Sequence, residues 1–383
     1  MNNNLTQASN QWCTRPADER FWSLEEMQEG AQKSQDRSYE TKLYPSECTR
    51  GNLGIRMDEG DLCLGVNDDN LRFNNWSFGQ FCNRVRAPAD YIVGLDDPDL
   101  AARCLNRSLD KSIGSFSTGL GILATMDDDI RAITSTRYSR INVADIIGKL
   151  IPLQEHGWKA PPGRASIDDP RSRLATVHDL TKSTLIKEGD RIGPSGLYRG
   201  DRDMFCFLVN DDGRVDDGSD GGISRGFFVS NSEVGKASFA YTEFGFRHTC
   251  GNHIVWGATD VREMRIRHVG ADTPAMAMET LAYELKEYTN ESMGDKKDLI
   301  TMAKNRILGK SADEVIDFLF GKRLMTRKLA KLSVEACEQF EADLNPYSAW
   351  GVVQGATRVS QDTEHTDKRT AIDTAAGKLL TLV

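Results

Sequence analysis

Regular patterns of apolar positions begin only after about residue 75. Residues 1 to 75 are rich in Asn, Asp, Glu and Gly and have few periodic apolar positions. Such a segment has few apolar groups to offset the entropy of ordering its backbone. The sequence therefore predicts an irregular polar N-terminal arm over residues 1 to 75, with the structured core starting near Trp76.

Residues 76 to 270 carry the patterns of an α+β core. Two apolar runs around the acidic turn Asp127–Asp129 predict a β-hairpin over residues 121 to 134. Apolar residues at helical spacing predict a helix from Asn142 to Leu150, with Asn142 as its cap. Four more strands are predicted at residues 204–209, 223–230, 237–241 and 244–250. Alternation along these strands places five side chains in the core: Phe227, Val229, Phe239, Phe244 and Phe246.

Two other regions complete the predicted organisation. Residues 158 to 200 are rich in Pro, Gly, Asp and Arg, which predicts a long excursion from the core. Residues 271 to 383 have helical spacing and helix-start signals, such as the possible capping box Ser311–Glu314. One of these helices is expected to carry Leu329, Leu332, Ala336 and Phe340 and to end near Asn345–Pro346. Strands followed by helices predict an α+β fold, an antiparallel sheet core with a helical C-terminal part.

Composition and charge narrow the class of protein. The net charge of −9 argues against a generally cationic nucleic-acid coat, although a local basic groove is compatible with it. Met1–Asn4 has no basic segment followed by an apolar one, and no apolar run reaches the length of a membrane span. The eight cysteines form no CxxC pair and are expected to be reduced thiols. These features predict a cytoplasmic protein with no membrane partner.

A cluster of histidines and one cysteine is the main candidate for metal chemistry. Zinc prefers such ligands, and the candidates are His248, Cys250, His253 and His268. Their spacing lacks the paired pattern of most zinc sites, so a buried cysteine with ordinary polar histidines is the favoured interpretation. The common nucleotide-binding, hydrolase and metalloprotease motifs are absent from the sequence. We expect no cofactor, and a binding protein rather than an enzyme.

Arginines near a tyrosine form two candidate nucleic-acid contacts. Arginine can bind phosphates and tyrosine can stack on a base. The alternative is that these arginines pair with nearby carboxylates such as Asp128, Asp260 and Glu263. The candidate binding residues are Arg131, Arg137, Tyr138, Arg140, Arg262, Arg265 and Arg267.

Several short motifs give the chain a family resemblance. They are Arg137–Asn142, the stretch containing Asn231, Ser232, Glu233 and Gly235, the set Arg247, Cys250 and Asn252, then Arg267–Gly270 and Ser348–Gly351. With these motifs the chain resembles the phage and plasmid family known as domain of unknown function 932. His253 departs from the family pattern, which has glycine there. The resemblance implies a mobile-element product from the neighbourhood of replication and recombination genes, and no particular mechanism.

Three functions remain open at this point. The first is a non-enzymatic protein of DNA metabolism that binds single-stranded DNA, as a ring or filament of copies, to anneal or protect it. The second is a counter-defence or host-takeover protein that binds a host protein. The third is a metal-dependent enzyme at the histidine and cysteine cluster.

Overall fold

The chain folds into two main β-sheets with packed helices, followed by a helical C-terminal part, which confirms the predicted α+β class. The computed structural model describes residues 17–160, 162–166, 192–194, 196–215, 222–249, 252–255, 261–291, 294–341, 343–361, 372, 375–376 and 378–380. None of the helices in these segments has both the length and the apolar character that crossing a bilayer requires.

Among the described residues, the first half of the chain contributes five α-helices and six strands. They are α1 (Leu24–Asp36), β1 (Ser38–Leu43), β2 (Leu53–Asp58), β3 (Asp61–Val66), β4 (Asp69–Phe73), α2 (Asn75–Val85), α3 (Ala89–Val93), α4 (Pro98–Ser112), β5 (Leu120–Thr125), β6 (Asp129–Thr134) and α5 (Val143–Leu150). The strands form one sheet in the order β1-β5-β6-β4-β3-β2. All neighbours are antiparallel except β4 and β6. The predicted hairpin is confirmed, and its strands β5 and β6 lie inside the sheet.

Residues 24 to 73 do not form the irregular arm that the sequence predicts. They supply α1 and four of the six strands of the first sheet. β1 pairs with β5 and β4 pairs with β6, so the partners of these short strands lie far along the chain. Helix α1 buries Leu24, Met27 and Ala31. The few apolar groups of these strands are enough to form a core, because the sheet shares that core with the helices α2 and α4.

The second sheet is built from the later strands. They are β7 (Trp158–Lys159), β10 (Leu197–Arg199), β11 (Met204–Val215), β12 (Ile223–Asn231), β13 (Phe239–Thr249), β14 (Asn252–Val255) and β15 (Val261–Ile266), while β8 (Pro162–Ser166) and β9 (Ile192–Pro194) form a separate pair. The main order is β10-β11-β12-β13-β14, with β15 on β13 and β7 on β11. β13 is one strand where the sequence predicted two, at residues 237–241 and 244–250.

The core of the second sheet includes the predicted aromatic residues. Phe227, Val229 and Phe239 are fully buried, which confirms their predicted place. The ring of Phe227 lies 4.7 Å from that of Trp158. The predictions for the side chains of Phe244 and Phe246 lie outside the described residues. Of the predicted excursion over residues 158 to 200, residues 167 to 191 are also outside them.

Helices make up the C-terminal part, as predicted. They are α6 (Thr273–Asn290), α7 (Gly294–Asn305), α8 (Ala312–Gly321), α9 (Arg327–Phe340) and α10 (Ala349–Gln361). Of the large apolar residues on α9, Leu332 and Phe340 are exposed, while the small residues Ala330 and Ser333 are buried. A Cβ added at Gly355 of α10 would clash with the carbonyl oxygen of Ser333. The close approach of α9 and α10 therefore selects the face of small side chains.

Candidate nucleic-acid interface

Three segments that are far apart in sequence meet beside the two sheets. They are the connector of residues 135–142, the β12–β13 turn of residues 231–235, and residues 267–270 after β15. Tyr138 forms a β-bridge with Val269. The Ser139 N–H donates to the His268 carbonyl oxygen over 3.0 Å. The fold therefore brings three of the five sequence motifs into one neighbourhood.

Glu233 is the charged centre of this neighbourhood. Its Oε1 accepts a 2.8 Å hydrogen bond from the Val143 N–H, and its Oε2 accepts one of 3.1 Å from Arg131. The Glu233 carbonyl oxygen accepts a hydrogen bond from Arg140. A carboxylate at the start of α5 satisfies an otherwise free helix N–H and interacts favourably with the helix dipole. The side chain of Asn142, the predicted cap, makes no capping hydrogen bond.

The rest of the β12–β13 turn is held by polar side chains that bond to backbone groups. The Asn231 amide donates to the Ile141 carbonyl oxygen over 2.7 Å. The Ser232 hydroxyl donates to the Arg202 carbonyl oxygen over 2.6 Å. Gly235 has a φ of +81°, a backbone conformation that glycine adopts without strain. These contacts fasten the turn to the connector and to the β10–β11 loop.

Tyr138 is packed inside this junction and does not present a free ring. Its hydroxyl donates to the Ser232 carbonyl oxygen over 2.8 Å. Its ring stacks on His268 with centroids 4.9 Å apart, and the Arg140 guanidinium lies 5.3 Å from the ring centroid. Burial raises the pKa of Tyr138 and lowers that of His268. A base has no open face of Tyr138 on which to stack in this arrangement.

The predicted arginines divide into two groups. Arg131 and Arg140 are tied down by ion pairs, with Glu233 and Glu40. Arg137, Arg265 and Arg267 are exposed. The side chain of Arg262 lies outside the described residues.

The structure describes only part of the predicted metal cluster. His268 is buried, and its Nδ1 lies 3.1 Å from the Ser139 carbonyl oxygen. The side chains of His248 and His253 and all of Cys250 lie outside the described residues, as do the side chains of Arg247 and Asn252. Among the residues that are described, no group of three or more His, Cys, Asp or Glu side chains is placed to hold a metal ion.

Two adjoining cavities open beside the junction. The larger one, which we call the inter-sheet cleft, has a volume of about 510 Å³ and lies between α1, the β5–β6 hairpin, the start of α2 and the β10–β11 loop. The smaller one, the Arg140 pocket, has a volume of about 350 Å³ and lies beside β1 and the connector. Ser38 and Arg131 line both cavities. Arg131 therefore stands at the boundary between them.

An aromatic and cationic pair lies in the inter-sheet cleft. The guanidinium of Arg202 is 5.5 Å from the ring centroid of Trp76. The Trp76 indole N–H donates to the Val234 carbonyl oxygen over 3.0 Å, which fixes the ring. Trp76 is half-buried and Arg202 is exposed. Sequence reasoning missed this pair because its members are far apart along the chain and belong to no motif.

Comparisons with known proteins add no functional information to this geometry. No family model matches the chain, and neither a curated protein nor a solved structure resembles it significantly.

Proposed function

We propose that this chain is a non-enzymatic phage or plasmid protein of DNA metabolism, which binds single-stranded DNA in the inter-sheet cleft. The observation that carries the proposal is the Trp76 ring with the Arg202 guanidinium over it. Single-strand binding grooves combine aromatic platforms for bases with cations for phosphates. The resemblance to a mobile-element family supports the same role.

The charges of the cleft suit a small number of phosphate contacts. Its lining has four cationic and three acidic side chains: Lys33, Arg37, Arg131 and Arg202 against Asp127, Asp129 and Asp201. Arg37 pairs with Asp127 at 2.6 Å, and Arg131 pairs with Glu233 at 3.1 Å. In the part of the chain that the structure describes, Arg202 forms no ion pair. Lys33 pairs with Glu29 at 2.6 Å. Arg202 is therefore the cation assigned to the DNA backbone.

The assignment predicts how steeply DNA binding weakens as the salt concentration rises. Each phosphate contact on a single strand contributes about −0.7 to the slope of log K against log salt concentration. The single contact at Arg202 predicts a slope of about −0.7 for the cleft. Exposed arginines outside the cleft that also touch the strand would make the slope steeper.

The test is the affinity of a labelled oligo-dT strand, measured by fluorescence anisotropy at several salt concentrations. Arg202→Ala should weaken binding and flatten the slope by about 0.7. Trp76→Ala should lose the stacking contribution of about 1–3 kcal/mol, while Trp76→Phe keeps a ring and should bind more tightly than Trp76→Ala.

Arg327→Ala is the matched control. Arg327 also lies over an aromatic ring, that of Phe320 at 4.8 Å, but on the helical C-terminal part. This control should bind DNA like the unchanged protein. Absence of binding by the unchanged protein at low salt, or equal binding by the Arg202 and Arg327 variants, would contradict the proposal.

A further inference from the structure

The Arg140 pocket concentrates charged side chains around a small space. Three cationic and two acidic side chains line it: Lys42, Arg131 and Arg140 against Glu40 and Glu233. Its volume of about 350 Å³ lies at the lower end of the range for small-molecule sites. The pocket therefore suits a compact ligand better than a continuous strand.

Glu40 occupies a special position in this pocket. One of its carboxylate oxygens lies 3.0 Å from Arg140, and the other lies 3.4 Å from the Lys42 ammonium group. The Glu40 side chain is 26 % exposed and Lys42 is 38 % exposed, whereas Arg140 is 11 % exposed. The partly exposed Glu40 carboxylate thus lies between two cations, Arg140 and Lys42, and Arg140 is the one that is held rigidly.

Arg140, the more buried of the two cations, is held in position by other groups. Arg140 donates to the Glu233 carbonyl oxygen and lies over the Tyr138 ring, so its guanidinium is already placed before any ligand arrives. Arg131 is held similarly by Glu233 and by the Ser38 hydroxyl, at 3.1 Å from each. Preorganised cations bind anions with less loss of side-chain entropy.

The side chain of Gln35 also indicates that the pocket binds a compact polar ligand. The Oε1 atom of Gln35, another lining residue, is buried and has no hydrogen-bond partner among the described residues. A buried amide oxygen without a donor is costly, and a ligand hydroxyl in the pocket would supply the missing donor.

We propose that the Arg140 pocket binds the 5′-phosphate of a nucleotide, either free or at the end of a DNA strand. A phosphate monoester carries about −1.5 to −2 charges at neutral pH and is well matched to arginine. It takes the place of the Glu40 carboxylate between Arg140 and Lys42, and the 3′-hydroxyl of a free nucleotide supplies the donor near Gln35. The strand-end form rests on the proposed function, because the adjoining inter-sheet cleft would hold the rest of the strand.

The experiment compares three probes on the full chain. They are an oligo-dT strand with a 5′-phosphate, the same strand with a 5′-hydroxyl, and the mononucleotide dTMP. Strand affinities are measured by anisotropy with a 3′ label, and dTMP binding by calorimetry. We expect the 5′-phosphate to tighten strand binding by roughly tenfold, the effect of one charge-assisted contact.

Two conservative variants distinguish a binding role from a structural one. Lys42→Gln should remove most of the preference for the 5′-phosphate and weaken dTMP binding. Glu40→Gln should strengthen both, because the competing carboxylate is gone. A merely structural Glu40 would not raise affinity when changed. Lys331→Gln is the matched control, since Lys331 pairs with Glu335 at 3.7 Å on α9 and should leave both measurements unchanged.

The outcomes separate this inference from the proposed function. Equal binding of both strands, without dTMP binding, overturns the phosphate site and leaves single-strand binding intact. Binding of dTMP that weakens in Lys42→Gln, without binding of either strand, supports the phosphate site and overturns the proposed function. Absence of all three interactions overturns both. A preference for the 5′-phosphate that persists unchanged in both variants overturns the assignment to this pocket.

Discussion

Replacing Glu233 with alanine tests whether the junction of the three motif segments stabilises the fold. The change removes the acceptor of the Val143 N–H and the partner of Arg131. The two side chains of the ion pair are only 9 % and 13 % exposed, so solvent screens their interaction little. Removing one partner of a buried ion pair costs about 3–5 kcal/mol, because the remaining charge is left uncompensated. We expect a loss of that size in the free energy of unfolding.

Glu233→Gln separates the two contributions. The glutamine side chain keeps an oxygen for the Val143 N–H but carries no charge. It should therefore be more stable than Glu233→Ala by about 1 kcal/mol, the usual contribution of a helix-capping hydrogen bond. The double variant Arg131→Met with Glu233→Leu removes both charges and should recover much of the loss.

The assay is urea unfolding followed by far-ultraviolet circular dichroism. A shift of the midpoint with an unchanged slope reports a change in stability. Asp317→Ala is the control, because its ion pair with Arg327 joins side chains that are 63 % and 59 % exposed, and its loss should cost less than about 1 kcal/mol. The reasoning is refuted if Glu233→Ala costs no more than this control, or if the Arg131 and Glu233 changes are simply additive.

Three further predictions concern core packing, DNA binding and the dependence of stability on pH. Phe227→Ala should lower the free energy of unfolding by about 3–5 kcal/mol, because Phe227 is fully buried against Trp158 and Tyr241; a loss below about 1 kcal/mol in the same urea assay would contradict its packing. The double variant Arg137→Ala with Arg267→Ala should weaken oligo-dT binding and flatten its salt slope without a change in Tm, since both side chains are exposed; an earlier melt with unchanged binding would make them structural. Burial lowers the pKa of His268 in the folded chain, so the unfolded chain binds a proton first as the pH falls, and stability should decrease below about pH 6.5. His268→Phe should show a smaller decrease between pH 7 and pH 5 in thermal melts, and an equal decrease would exclude His268 as its source.

Local patterns along the sequence determined many individual elements. The hairpin of β5 and β6, helix α5, the strands β11 and β12, and the C-terminal helices α6, α8, α9 and α10 follow from periodicity and turn chemistry within short windows. The burial of Phe227 and Val229 follows from alternation along one strand. These features are predictable because a residue's neighbours in sequence decide which face of the element it occupies.

Tertiary structure decided the rest. β1 and β4 are strands because β5 and β6 offer them edges from a distant part of the chain, and no local pattern in residues 38–73 carries that information. The buried face of α9 was set by the close approach of α10 at Gly355 rather than by the largest apolar side chains.

The candidate site depends on the tertiary structure even more strongly. The sequence singled out Arg131, Tyr138 and Arg140 as candidate binding residues and Glu233 as part of a separate motif, but it did not show which of them contact one another. The Tyr138 ring is covered because His268, 130 positions later, stacks on it. Trp76 and Arg202 become a pair only where the β10–β11 loop of the second sheet reaches the start of α2. Contacts between side chains so far apart in sequence depend on how the sheets pack, which is a property of the whole chain and not of any local segment.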